Sequence, residues 1–205
     1  MPTTELLLCT DLDRTLLPNG KQPEHPAARP RFRQLCAQPN VTLAYVTGRH
    51  LLLVEQAIAE YAIPRPDFVI TDVGTKIYQR EAGGWREVEP WQQQISSDWQ
   101  EKTPAELHQE LKDLPGLTLQ EEEKQSDFKL SYYAPLTVDS KDLLQSVEKA
   151  LARISVAANL IWSIDEPAQT GLLDVLPASA SKLHAIEFLQ QFLHAPPKMT
   201  IFAGD

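Results

Sequence analysis

The chain has 205 residues, 42% hydrophobic and 23% charged, which is globular material long enough for a core and a second, smaller domain, and which excludes a disordered chain. A formal net charge of −9, with no basic patch, excludes a generic binder of nucleic acid or of an anionic membrane surface. With no apolar run of about 18 residues and no export signal, no membrane association is expected and the expected location is cytoplasmic.

The first expected element is a strand at Leu6–Cys9, a run too short and unbroken for an amphipathic helix and suited to the centre of a parallel sheet covered on both faces. It stops at Asp11. Asp11 and Asp13 then stand two apart, so both can turn into one small volume outside the carboxyl edge of a sheet, where open α/β folds place their ligands. Two like charges held so close need a cation or a shared proton. Thr15 offers a hydroxyl to hold the second carboxylate in the turn. Residues 18–30, rich in proline, read as a loop, followed by a helix over Arg31–Gln38 and a buried strand over Val41–Val46. A helix is expected over Leu51–Tyr61, so Thr47 and Gly48 sit where a strand gives way to a helix, and free backbone N–H groups there suit a phosphate. The same residues also read as a simple strand-to-helix turn, and Arg49 is read as structural. Asp67–Thr71 is the third strand, Asp72–Thr75 a turn, and the next two short strands, separated by glycines 83 and 84, a hairpin.

From about Trp85 the texture changes. Trp91, Trp99, Leu107 and Leu111 lie in a polar helical stretch, two strands follow, then a helix from Ser140 to Ile154 with Ser140 as its cap, then two further strands. This αββαββ order marks an inserted module, with hinges expected near Gln79–Gly84 and Leu176–Ser181. The chain returns to a helix holding Lys182, stops at Pro196-Pro197, and ends in a strand over Met199–Ala203 followed by Gly204 and Asp205. Cys9 and Cys36 show no metal spacing and read as reduced core residues. The five histidines, His25, His50, His108, His184 and His194, show none either and read as surface or capping residues. Trp85, Trp91, Trp99 and Trp162 read as packing residues.

A carboxylate pair at one strand end, a threonine at a second, a lysine opening a late helix and an acid at a third strand end can be assembled into one phosphoryl-transfer site. Asp11 would attack phosphorus, and Asp13 would protonate the leaving oxygen and later activate water. Mg²⁺ suits two carboxylates plus phosphate oxygen, with Asp205 completing the metal ligands Asp11 and Asp13. Thr47 and Lys182 would hold the non-bridging oxygens.

Asp11-Leu12-Asp13-Arg14-Thr15, Val46-Thr47-Gly48-Arg49, Lys182 within a late helix and the terminal Ala203-Gly204-Asp205, in that order, resemble the four signature motifs of the haloacid dehalogenase (HAD) superfamily of phosphatases. The segment between Thr47 and Lys182 is long enough for an inserted cap, as in the type IIB-capped branch, and the turn Val73-Gly74-Thr75 with the tryptophans resembles sucrose-phosphate phosphatases. The resemblance implies an α/β fold: a Rossmann-like parallel-sheet core, 1–80 and 178–205, with further core elements after Asp205, and an α+β cap, 81–177, that recognises the sugar. It implies catalytic Asp11, Asp13, Thr47 and Lys182, substrate contacts at Thr47, Gly48, Lys182 and, in the cap, Gln125 and Lys129, and Mg²⁺ on Asp11, Asp13 and Asp205. Lys182 is followed by Leu183, where the family usually has a glycine or other small residue. The implied activity is hydrolysis of a small-molecule sugar phosphate, sucrose 6-phosphate first. The alternatives are a mannosyl- or glucosyl-phosphoglycerate phosphatase, or a non-catalytic sugar-phosphate-binding domain partnered with a sugar-phosphate synthase.

Overall fold

The structure is a computed structural model that describes residues 5–18 and 24–204. In chain order the elements are β1 (Leu6–Thr10), α1 (Ala28–Cys36), β2 (Val41–Val46), α2 (Leu51–Tyr61), β3 (Phe68–Thr71), β4 (Lys76–Glu81), β5 (Gly84–Glu87), α3 (Glu89–Ser96), α4 (Pro104–Leu111) and β6 (Thr118–Leu119). They continue as β7 (Leu130–Pro135), α5 (Ser140–Arg153), β8 (Ala158–Asp165), β9 (Thr170–Pro177), α6 (Lys182–Phe192) and β10 (Thr200–Ala203). Two compact units result, residues 1–91 with 182–205 and residues 92–181. Strand β5 lies wholly beyond residue 81 and pairs into the sheet of the first unit.

That sheet has the order β10-β1-β2-β3-β4-β5. Its first four strands are parallel, with Leu8 between Ile201 and Leu43, whereas β4 and β5 fold back antiparallel. Burial on both faces explains the unbroken apolar reading of β1: Leu7 and Cys9 are sealed from solvent, and Leu8, Leu43, Val54 and Val69 share one cluster. The sheet is therefore mixed rather than wholly parallel. Helix α1 begins at Ala28, earlier than the expected Arg31, because Pro30 is tolerated in a first turn whose N–H groups have no intrahelical partner. Trp91 closes this unit, its indole N–H donating to Gly74 O at 3.0 Å and its ring lying 5.1 Å from Phe188.

The second unit carries an antiparallel sheet of order β6-β7-β9-β8. Its core gathers Trp99, Leu107 and Leu111 from the helical stretch with Tyr132, Val147, Leu151, Leu173 and Val175. The cap of α5 is Asp139, not Ser140: the Asp139 carboxylate accepts from Lys141 N at 2.8 Å and Asp142 N at 3.2 Å, which places Ser140 inside the helix. Together the units make an α/β fold with a Rossmann-like core and an α+β subdomain. Among the described residues no helix is long and apolar enough to cross a membrane.

Candidate active site

Strand β1 ends by delivering Asp11. Its N–H donates to Ala203 O at 2.8 Å, so β10 runs beside it to the end of the strand. The close approach continues at Gly204, where an added Cβ would lie 2.9 Å from Asp11 Cβ and 2.7 Å from the Phe202 ring; only glycine fits that contact. Asp11 is almost fully buried, at 4% exposure. Its Oδ1 accepts from Leu12 N at 2.6 Å and its Oδ2 from Lys182 Nζ at 2.5 Å. A buried carboxylate needs such partners, because an uncompensated charge out of water is costly. Lys182 supplies the charged one from the first residue of α6, the helix-opening position expected of it.

After Asp11 the chain turns tightly, with Leu12 O accepting from Leu16 N at 3.0 Å and Leu17 N at 2.7 Å while the Leu12 side chain is fully buried. That anchor leaves Asp13 outside, its side chain 51% exposed. The Asp13 carboxylate goes not to Thr15, which is exposed, but to Arg49: Nε donates to Oδ2 at 2.9 Å and Nη2 to Oδ1 at 2.6 Å. This fork raises the guanidinium above its ordinary pKa, chiefly through the hydrogen bonding it donates to Asp13.

Thr47, the residue after β2, is fully buried. Its N–H is taken by Ile70 O at 2.9 Å, and its Oγ1 accepts from Arg49 N at 3.2 Å while keeping its own proton to donate. Helix α2 starts only at Leu51, so Thr47 and Gly48 lie ahead of it and offer a hydroxyl and a backbone amide rather than a ring of helix N–H groups. The turn after β3 braces this segment: Asp72 N donates to Arg49 O at 3.1 Å and Val73 N to Thr47 O at 3.2 Å. Three successive residues there, Asp72 (φ 51), Val73 (φ 60) and Gly74 (φ 101), lie at positive φ, and for β-branched Val73 that is a strained conformation.

The donors around Asp11 and Asp13 are hard carboxylate oxygens with no cysteine or histidine among them, which fits Mg²⁺, an ion that takes one or two carboxylates plus phosphate oxygens and water. Among the described residues no group of three or more acids, histidines or cysteines is assembled, and the third expected ligand, Asp205, lies outside the described residues. In the second unit, Gln125 and Lys129 flank a tight turn closed by Ser126 N to Lys129 O at 3.0 Å and Lys129 N to Ser126 O at 3.2 Å. The Gln125 amide brackets that turn, donating to Gln120 O and Ser131 O and accepting from Ser131 N, and Lys129 is buried. Arg49, expected to be structural, is the partner of Asp13 that the sequence did not name. Its only signal was a cation two places beyond Thr47, on a turn otherwise expected to meet an anion.

Residues 4–205 match the family model of sucrose-6F-phosphate phosphohydrolase. The chain belongs to this family, within the HAD-superfamily phosphatases. It is 50% identical over 201 residues to a Nitrosococcus oceani protein named only by likeness, as HAD-like hydrolase, covering 98% of this chain and 54% of that one. It is 29% identical to sucrose-phosphatase 1 of Nicotiana tabacum, covering 98% of this chain and 45% of the tobacco protein. The chain thus spans about half the length of the curated relatives it matches. The structure of the sucrose-phosphatase from Synechocystis sp. PCC6803, in complex with sucrose and phosphate, superposes with a TM-score of 0.78 at 25% identity, covering 98% of this chain and 75% of that one.

Proposed function

We propose that this family member is a Mg²⁺-dependent phosphomonoesterase acting on a sugar phosphate, sucrose 6-phosphate first, through an aspartyl-phosphate intermediate. The observation that carries the reading is the Asp11–Lys182 pair: a carboxylate at 4% exposure, at the carboxyl end of a central strand, with an ammonium 2.5 Å from one oxygen. Position and partner both suit a nucleophile that must approach an anion.

Asp11 attacks phosphorus, forming an O–P bond as the bond to the sugar oxygen breaks. Asp13 gives its proton to that leaving oxygen, then takes one from the water that attacks the aspartyl phosphate, so that phosphate departs and both acids return to their first state. Lys182 and the Thr47 hydroxyl hold the non-bridging oxygens as charge shifts among them. In this reading Asp11 and Asp205, with Asp13 whenever its carboxylate is ionised, would hold Mg²⁺, which would supply the charge neutralisation that lets a carboxylate meet a phosphate dianion. Thr47 and Gly48 bind the phosphate group, and the second unit recognises the sugar through the turn that Gln125 and Lys129 flank.

The experiment is phosphate release from a panel of sugar phosphates, with and without Mg²⁺, for the chain and for Asp11→Asn. The expected result is Mg²⁺-dependent release, fastest on sucrose 6-phosphate, and none from Asp11→Asn with its thermal melt intact. Unchanged release by that variant would sink the mechanism, and equal rates on sucrose 6-phosphate and simple hexose phosphates would sink the substrate.

A further inference from the structure

Lys182 reaches Asp11 from the first turn of its helix, where N–H groups have no intrahelical partners and the ends of helices fray. That turn gains little from packing. Leu183 is 61% exposed and His184 is exposed, so burial begins only at Ala185, with Ile186 and Leu189 behind it. The place of Lys182 therefore depends on the segment that leads into it, and that segment is tied residue by residue. Ala178 N donates to Ala157 O at 3.2 Å, Ala180 N to Pro177 O at 2.9 Å, and the Asn159 side-chain amide to Ala180 O at 2.9 Å. Ser179 gives both its donors to one acceptor, Asp98 Oδ2, 81 residues earlier in the chain: the N–H at 2.7 Å and the hydroxyl at 2.5 Å. Asp98 is itself fixed, by Ala157 N on its carbonyl at 2.9 Å and by its neighbour Trp99, which is fully buried in the core of the second unit. The hinge expected over Leu176–Ser181 is thus held at Ala178, Ser179 and Ala180.

We propose that Asp98 is a positioning residue for Lys182: by holding Ser179 it fixes the connection three residues ahead of the ammonium that meets Asp11. A carboxylate suits the task, because an ionised acceptor binds hydrogen-bond donors more strongly than a neutral one and here takes both donors of a single serine, which sets the direction of the backbone as well as its place. Asp98 acts through the chain and not on the substrate. Without it the first turn of α6 keeps its covalent link but loses its brace, and the ammonium no longer stands where the non-bridging oxygens of the phosphate need it. This rests on the phosphatase reading above.

The test measures kcat on the panel's fastest sugar phosphate, well below the melting temperature, and the rise in Tm caused by inorganic phosphate. The variants, all in the full chain, are Asp98→Ala, Asp98→Asn, Lys182→Met and Asp98→Ala combined with Lys182→Met. For Asp98→Ala, kcat is expected to fall on the order of 10-fold and the phosphate-induced rise in Tm to shrink. Asp98→Asn, whose amide oxygen still accepts from Ser179, should restore most of both. In the Lys182→Met background Asp98→Ala should take nothing further from the phosphate-induced rise, because the group it positions is gone. The proposal is overturned if Asp98→Ala lowers Tm while kcat and the phosphate-induced rise stay native, or if it shrinks that rise equally with and without Lys182. Should Asp98→Ala not fold, Ser179→Ala, which loses the hydroxyl and keeps the N–H, takes its place with the same readouts. Asp11→Asn separates the two levels: turnover by that variant removes the underlying reading, whereas an inactive Asp11→Asn beside a fully active Asp98→Ala removes only the role of Asp98.

Discussion

Lys182 Nζ stands 2.5 Å from Asp11 Oδ2 although 171 residues separate them in the chain. The contact joins the end of the second strand of the sheet to the start of a helix that returns after the whole second unit. Because Asp11 is buried, removing the ammonium leaves a carboxylate short of a partner, and Lys182→Met is expected to cost about 1–3 kcal/mol of stability. In the Asp11→Asn background the same change should cost much less, since no charge remains to be left unpaired. Denaturant melts of the two single variants and the double variant measure the coupling. Additive losses would show that the pair stabilises nothing.

The turn at Asp72–Gly74 leads to a second expectation. Gly74 has φ 101, where an L side chain is strained whatever the space around it, and its carbonyl receives the Trp91 indole N–H. Gly74→Ala should therefore destabilise by about 1–3 kcal/mol. The loss should reach Thr47 and Arg49 through the backbone bonds from Val73 and Asp72, so phosphate protection against thermal unfolding should weaken beyond what the loss of stability alone explains. Differential scanning fluorimetry with and without inorganic phosphate separates the two effects.

What was legible in the sequence follows from which forces are local. The apolar runs at Leu6–Cys9 and Val41–Val46 and the apolar face of Leu51–Tyr61 report burial directly, and the elements lie where those patterns place them. Asp11 and Lys182 were legible because a strand end and a helix start are local features carrying charged residues. The N-cap of α5 was missed by one residue, since Asp139 and Ser140 are both good caps and only the backbone geometry chooses. The Asp13–Arg49 fork could not be read at all. It depends on the register between β1 and β2 and on the way the Leu12 turn throws Asp13 outward, neither of which leaves a periodic signature. The same holds for the antiparallel return of β4, a consequence of three positive-φ residues only one of which is glycine.

Thiol chemistry gives a third prediction with a definite sign. Burial pushes the Cys9 thiol up to about 12, and burial, reinforced by the Asp67 charge, pushes Cys36 up to about 11. Both stay protonated at neutral pH, and the thiol form is the unreactive one. Native protein at pH 7 should resist a maleimide that labels both cysteines after unfolding, and Cys36, the less buried, should react first as pH rises. In the unfolded chain each thiol ionises near its ordinary value of 9.0, whereas the folded chain holds its proton longer. The stability they contribute is therefore intact below pH 9 and is lost as pH climbs towards 11 and 12. Urea melts across that range, compared with Cys9→Ala, read the slope. An equal slope in the variant would assign it elsewhere.

The last prediction concerns the second unit. Gly171 on β9 pairs with Ala134 on β7 and Ile164 on β8, and the Trp162 indole from β8 lies across its α-carbon. A Cβ at this position would collide with two carbons of that ring and stand 3.1 Å from Ala134 O. The ring packs against the core that holds Trp99, Tyr132 and Leu173, so it cannot swing aside without exposing apolar surface. Gly171→Ala is expected to destabilise by about 1–3 kcal/mol, the range for forcing extra volume into a packed site, and to alter the tryptophan near-UV circular dichroism. Trp162→Leu removes the obstructing ring at its own cost in buried area. If steric collision is the cause, Gly171→Ala should then add little in the Trp162→Leu background. Should the alanine cost as much there as in the native chain, the loss would come from the backbone of β9 instead, and glycine would be needed for its conformation rather than for the space it leaves to the indole.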